Sequence, residues 1–211
     1  MLRRDHNLAL GAWTMRTHRE EQFVEWAKNH GLALEPGYPQ TATLTFDPDP
    51  GLSRFWPIPP DPFARSYFLS VMLDLMGRWH SCFAWRHMGS WPAAPETINP
   101  NEMVQYRMLS GLGLPMGTAD IVQFERSEDD KLLSLLLVTT IFAWSTGQDL
   151  YVVPDHARYI LKAYHHDVVY AHFRTKTDLN RFVKGIEKDG FCLPTDVPDG
   201  TFARPDWMKS E

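Results

Sequence analysis

The sequence predicts an α+β fold, in which an antiparallel sheet packs on about five helices within one globular domain over residues 1–211. Three observations carry that prediction. Five segments combine a helical period with capping residues, seven short segments have the texture of strands, and Ala163 to Phe173, "AYHHDVVYAHF", reads as a hairpin.

In chain order, a strand is expected at Leu8 to Thr14. Thr17 and Glu20 then form a capping-box pattern ahead of Phe23, Trp26, Ala27 and His30, and Gly31 supplies the stop. A strand follows at Thr41 to Phe46. The proline-rich stretch Phe46 to Pro62 is expected to be a connecting loop. Asp61 and Pro62 open the central helix, whose broad apolar face runs from Phe63 to Trp79. Ser81 to Arg86 reads as a strand, and Asn99-Pro100 with Glu102 opens a helix that ends near Gly111 and Gly113. The glycine-rich Ser110 to Gly117 reads as a loop, and Asp120 to Phe124 as a strand. Ser127 and Asp130 start a helix through Leu132 to Trp144 that is apolar on every side, hence expected to be buried. Strands at Leu150 to Val153, Tyr159 to Tyr164 and Val168 to Arg174 precede a last helix from Thr177 and Asp178 to Gly190. The tail Pro198 to Trp207 reads as an arm able to dock Phe202 and Trp207 on the body.

"FVEWAKNHGLAL" from Phe23 and "FVKGIEKDGFCL" from Phe182 align without a gap, each after an expected strand. The shared content is a strand-helix unit with a phenylalanine at the start of the buried face and a glycine exit. Duplication and common helix grammar both account for it.

Composition narrows the function classes. A net charge of −5 and the lack of a Lys/Arg cluster beyond Arg3-Arg4 argue against nucleic acid as a partner. The arginines at the start precede only a short, interrupted apolar run, unlike a signal peptide. Leu132 to Trp144 is shorter than the roughly 20 residues that a membrane span needs, so no membrane partner is expected. Cys82 and Cys192 form no CxxC pair, and both read as reduced thiols of a cytoplasmic protein.

The hairpin can be placed by register. A three-residue loop, His165-His166-Asp167, puts Tyr159, Leu161, Ala163, Val169, Ala171 and Phe173 on one uniformly apolar face. A two-residue loop would mix that set with Lys162 and Tyr164. The opposite face then carries Lys162, Tyr164, Val168, Tyr170, His172 and Arg174. Tyrosine and arginine are enriched where proteins meet partners. Either another part of the chain covers Tyr164 and Tyr170, or the strip of Lys162, Tyr164, Tyr170, His172 and Arg174, with the tip His165, His166 and Asp167, is a partner-binding surface. A metal reading needs imidazoles within about 2.1 Å of one ion, and His166 and His172 are too far apart along a straight strand.

Cys82 lies between His80 and His87, which raises a nucleophile reading. Alternation gives the thiol only His80 as a neighbour, and nothing signals an oxyanion hole, so a structural cysteine fits better. No GxGxxG, P-loop or GxSxG motif is present, and no cofactor or catalytic residue is assigned.

In the C-terminal third, the strand ending in "VPD", the "HHDVV" hairpin, the capped helix ending in glycine and the tail "LP…PDGTF..P.WM" together resemble small bacterial proteins encoded in polymorphic-toxin and type VI secretion loci, often immunity proteins. The resemblance implies a non-enzymatic cytoplasmic protein that binds a cognate toxin effector and blocks its active or cofactor site. Two other readings remain open. One is a His/Asp- or metal-dependent hydrolase built on Asp155, His156, His165, His166 and Asp167; the other is a structural adaptor subunit. The oligomeric state, a homo-oligomer included, is also open.

Overall fold

The computed structural model describes residues 16–37, 41–87, 100–113, 121–146 and 149–191. The strand expected at Leu8 to Thr14, the tail from Pro198 to Trp207 and Cys192 lie outside these residues. The α+β class holds. Element order is β1 (Arg16–His18), α1 (Glu20–Asn29), β2 (Leu32–Gly37), β3 (Thr41–Phe46), β4 (Ser53–Pro57), α2 (Pro62–Leu75), β5 (Ser81–His87), α3 (Pro100–Gly111), β6 (Ile121–Glu125), α4 (Asp129–Thr146), β7 (Asp149–Pro154), β8 (Tyr159–Tyr164), β9 (Val168–Phe173) and α5 (Lys176–Lys188).

Seven of the described strands form one sheet in the order β1-β6-β5-β7-β8-β9-β4, and β2 and β3 form a separate hairpin. All the pairings are antiparallel. Side chains alternate across this sheet, and the two faces carry two cores. On one face Cys82, Ala84, Val122, Phe124, Val152, Leu161, Ala171 and Phe173 meet α2, α4 and α5. On the other, Phe83, Trp85, Ile121, Tyr151, Val153 and Ile160 meet Phe23 and Ala27 of α1 and Leu32, Leu44 and Phe46 of the β2/β3 hairpin.

The helix ends follow their capping chemistry. The Asp61 carboxylate accepts the Ala64 N–H at 2.8 Å with Pro62 in the first turn. Thr175 caps α5, its hydroxyl accepting from the Asp178 N–H at 3.1 Å, so that helix starts at Lys176, one residue before the expected Thr177. Helix α1 also departs from expectation. Thr17 is paired with Val122 in β1, which draws the expected cap into the sheet and leaves Arg19 as N-cap, with Gln22 Oε1 accepting its N–H. The α4 helix is packed between the sheet, α2 and α3, yet Ile141 stays exposed.

Besides β1, two further strands were not expected. β4 lies inside the stretch Phe46 to Pro62, and β2 contains Pro36. Both segments are correctly placed at edges, where a missing N–H costs no ladder bond. The two similar segments fold as strand-helix units, β1 with α1 and β9 with α5. Phe23 and Phe182 are both buried, as are Ala27 and Ile186, but the helices cover opposite faces.

Candidate functional site

The β8/β9 hairpin adopts the expected register. Tyr159 pairs with Phe173, Leu161 with Ala171, Ala163 with Val169 and Tyr164 with Val168, leaving His165, His166 and Asp167 as the loop. Asp167 has φ 57°, the left-handed conformation that aspartate tolerates better than most residues and that closes three-residue loops. Its carbonyl accepts the Ile58 N–H at 2.7 Å, tying the tip to the end of β4.

A row of paired residues crosses the sheet on the α1 side: His18, Ile121, Trp85, Tyr151, Lys162, Tyr170 and Phe55. Its first half lies under α1 and the β2/β3 hairpin, while Tyr170 and Phe55 are half-buried. There the rings run on from one to the next. Phe55 lies 5.8 Å from Tyr170, Tyr170 lies edge-on to Tyr164 at 5.9 Å, and His166 stacks on Tyr164 at 5.0 Å and 18°. These spacings fall within the range favoured by aromatic pairs.

Under this row sits a buried ion pair. Lys162 Nζ is 2.9 Å from Asp149 Oδ2, with the side chains 17% and 7% exposed. The other carboxylate oxygen of Asp149 accepts from His165 Nδ1 at 2.8 Å and from the His165 backbone N–H at 3.1 Å. Burial opposes the charge on Asp149, but the His165 hydrogen bond and Lys162 outweigh it and hold the carboxyl below its usual range. Burial likewise opposes the Lys162 charge, and Asp149 and Tyr151 outweigh it, raising the ammonium above its usual value. The ammonium also lies 4.7 Å over Tyr164 and 5.3 Å over Tyr151. Lys162 is therefore an internal brace for the rings.

His172 sits further along the same face, beside Ser53, and burial pushes its imidazole below the usual value. Arg174 does another job. Its guanidinium donates to the His30 carbonyl at 2.5 Å, to Gly31 O at 3.3 Å and to Ala157 O at 2.9 Å, and it covers Phe46. It thus caps the C-terminus of α1. Gly31, at φ 64°, fits both demands of that cap, since a Cβ would come within 3.0 Å of Arg174. Of the eight expected surface residues, Lys162, Tyr164, His165, His166 and Tyr170 converge, Asp167 shapes the loop, and His172 and Arg174 stand apart. Asp149 and Phe55 join the cluster without having been singled out in the sequence. Phe55 lies on a strand whose partner, β9, is distant in sequence, while Asp149 meets Lys162 and His165 across the β7/β8 pair.

The residues of the hydrolase reading do not converge. Asp155 and His156 occupy the β7/β8 turn, and His165, His166 and Asp167 the opposite end of β8, six residues and about 20 Å away at about 3.3 Å per residue. Asp155 accepts the backbone N–H groups of His80 and Ser81 at 3.2 and 3.3 Å, closing the sheet end. His156 Nε2 lies 3.3 Å from the Met76 carbonyl. Among the described residues no group of three His, Cys, Asp or Glu is placed to hold a metal ion. The Cys82 thiol is fully buried and burial lifts it well above its ordinary range, so it sits as a thiol facing the helices.

A second buried carboxylate, Asp178, accepts from the Tyr159 hydroxyl at 3.0 Å, from Thr175 at 2.7 Å and from Arg158, with Arg181 at 3.7 Å. It ties the start of α5 to β8. No helix among the described residues is long and apolar enough to cross a membrane. Comparison with protein-family models, curated proteins and solved structures gives no match to this chain.

Proposed function

We propose that this chain is a cytoplasmic binding protein that neutralises a cognate bacterial toxin by direct contact, as an immunity protein does. The observation that carries the reading is the ring row of Phe55, Tyr170, Tyr164 and His166, half-buried on one sheet face and braced from beneath by Lys162 and Asp149. Rigid aromatic groups held by packing are good anchors, because little side-chain entropy is lost when a partner settles on them. The resemblance of the C-terminal third points the same way. The histidines and aspartates that would serve hydrolysis face two opposite ends of the hairpin.

Coexpression with the product of the adjacent gene tests the reading. Growth rescue and co-purification are expected, and Tyr170→Ala or His166→Ala should weaken the complex about 30-fold, the effect of losing about 2 kcal/mol at an anchor. An adjacent product that is harmless and does not co-purify would sink the proposal. A complex with unchanged affinity in both variants would remove this face from it.

A further inference from the structure

The outer edge of β4 is self-complementary, and we infer that a second copy of this chain pairs with it strand to strand across a two-fold axis at Phe55. The inference is independent of the toxin reading. It starts from the parity of the β4/β9 ladder. Phe173 N–H donates to Leu52 O at 2.8 Å at one end, and Ile58 N–H donates to Asp167 O at 2.7 Å at the other. In an antiparallel ladder alternate residues bond to the same neighbour, so the backbone groups of residues 52, 54, 56 and 58 point to β9. Those of Ser53, Phe55 and Pro57 point outward, where no described strand lies.

An antiparallel pairing with a second β4 centred on Phe55 sets Ser53 opposite Pro57 of the other copy and Phe55 opposite itself. The two Phe55 residues exchange N–H···O=C bonds, and each Ser53 N–H donates to the carbonyl of the opposing Pro57. One carbonyl on each strand, that of Ser53, faces a proline that has no N–H to give. That is the carbonyl to which Arg54 Nη1 already donates at 2.8 Å. Every outward donor finds an acceptor, and the one acceptor left over is served from its own chain.

Proline and a charged side chain on an edge strand ordinarily blunt it against pairing. Here Pro57 disfavours the register that sets it opposite Phe55, and Arg54 disfavours the one that sets it opposite its own copy, so the two registers next to the centred one are both weakened. Such an interface is isologous and closed, so it ends at two copies and leads to no fibre. It also brings the two Phe55 rings together on one face, joining the Tyr170–Phe55 rows of both copies.

Sedimentation of the full chain over a concentration series tests this, together with a cysteine pair. A monomer–dimer equilibrium is expected, and Phe55→Lys, which sets like charges opposite each other, should abolish it while circular dichroism stays unchanged. Ser53→Pro removes only an outward N–H and should weaken it too, which covers the case of a Phe55→Lys chain that misfolds. In a Cys192→Ser background, Phe55→Cys should oxidise to a covalent dimer, since facing residues lie about 5.5 Å apart. Ser53→Cys should not, because the two copies of residue 53 would be about 14 Å apart along the strands. A monomer mass up to about 1 mM, the weakest association the method reads, would overturn the inference. So would a dimer indifferent to Phe55→Lys and Ser53→Pro, or equal cross-linking through residues 53 and 55.

Discussion

Replacing Lys162 by methionine keeps most of its length and apolar stem while deleting the charge beneath the ring row. The structure sets the size of the effect. Asp149, 7% exposed in its side chain, would retain His165 as a hydrogen-bond donor but lose the ammonium at 2.9 Å. Removing one member of a buried pair costs about 3–5 kcal/mol, and the residual exposure of Lys162 together with the remaining His165 bond places the expectation near the lower end, about 3 kcal/mol. For a chain of this size that is a fall in Tm of about 6–12 °C. Lys162→Met with Asp149→Leu removes both charges and should recover part of the loss, a coupling of about 1–3 kcal/mol between touching residues. Urea unfolding of the two single variants and the double variant measures all three quantities. Losses under about 1 kcal/mol in each single variant, or strictly additive losses, would refute the view of the pair as a buried brace. The pair also has a pH signature. Asp149 titrates below its usual range when folded, so its contribution is complete above about pH 4 and is lost as pH falls through the folded value. Lys162 is raised, so its contribution holds below about pH 10 and is lost as pH rises through the folded value.

Two further outcomes follow from packing and burial. His156 and His172 are held neutral by burial, with Asp155, Arg158 and Asp178 facing the first and Asp49 and Lys162 the second. The unfolded chain therefore binds more protons just below about pH 6.5, and stability should decline with acidification from there. His172→Gln should flatten that decline in urea midpoints measured between pH 7.5 and 5.5; parallel curves would contradict the assignment. At Gly185 a Cβ would meet Leu75 Cδ2 at 2.3 Å and Cγ at 3.2 Å, where α5 crosses α2. Gly185→Ala gains about 1 kcal/mol of helix propensity but overpacks a contact at a cost of about 1–3 kcal/mol, so a net loss is expected. Combining it with Leu75→Ala, which opens the space, should cost less than the two separate losses added, and a simple sum would disprove the close contact.

The hairpin was the most legible element, down to its pairing, because only one loop length leaves a uniformly apolar face and the sheet rewards that face with a core. The five helices were legible for a similar reason, since caps and period agree locally. What the sequence concealed depends on distant partners. Ser53 to Pro57 looks like a loop because proline disfavours a central strand; that it is an edge strand is decided by β9, far along the chain. Thr17 carries cap chemistry but pairs with Val122. Lys162 and Arg174 read as surface cations, yet one reaches Asp149 across a neighbouring strand and the other reaches the end of α1. No local period records such meetings. The faces of the sheet were predictable in composition, and which element covers each of them was not.

The strand order also governs how the chain must assemble. Among the described strands of the chain β1 pairs with β6 alone and β4 with β9 alone, so Ser53 finds its neighbour when His172 has been made. Until then β4 has no partner strand among the described residues, and Trp56 lacks the β9 and α5 surfaces that bury it. Loop closures over such separations precede the contacts that reward them, which makes folding slow and all-or-none and leaves apolar strand edges open during synthesis. Arg54 and Pro57 then act before the fold exists, keeping an orphan strand from the wrong partner until β9 arrives.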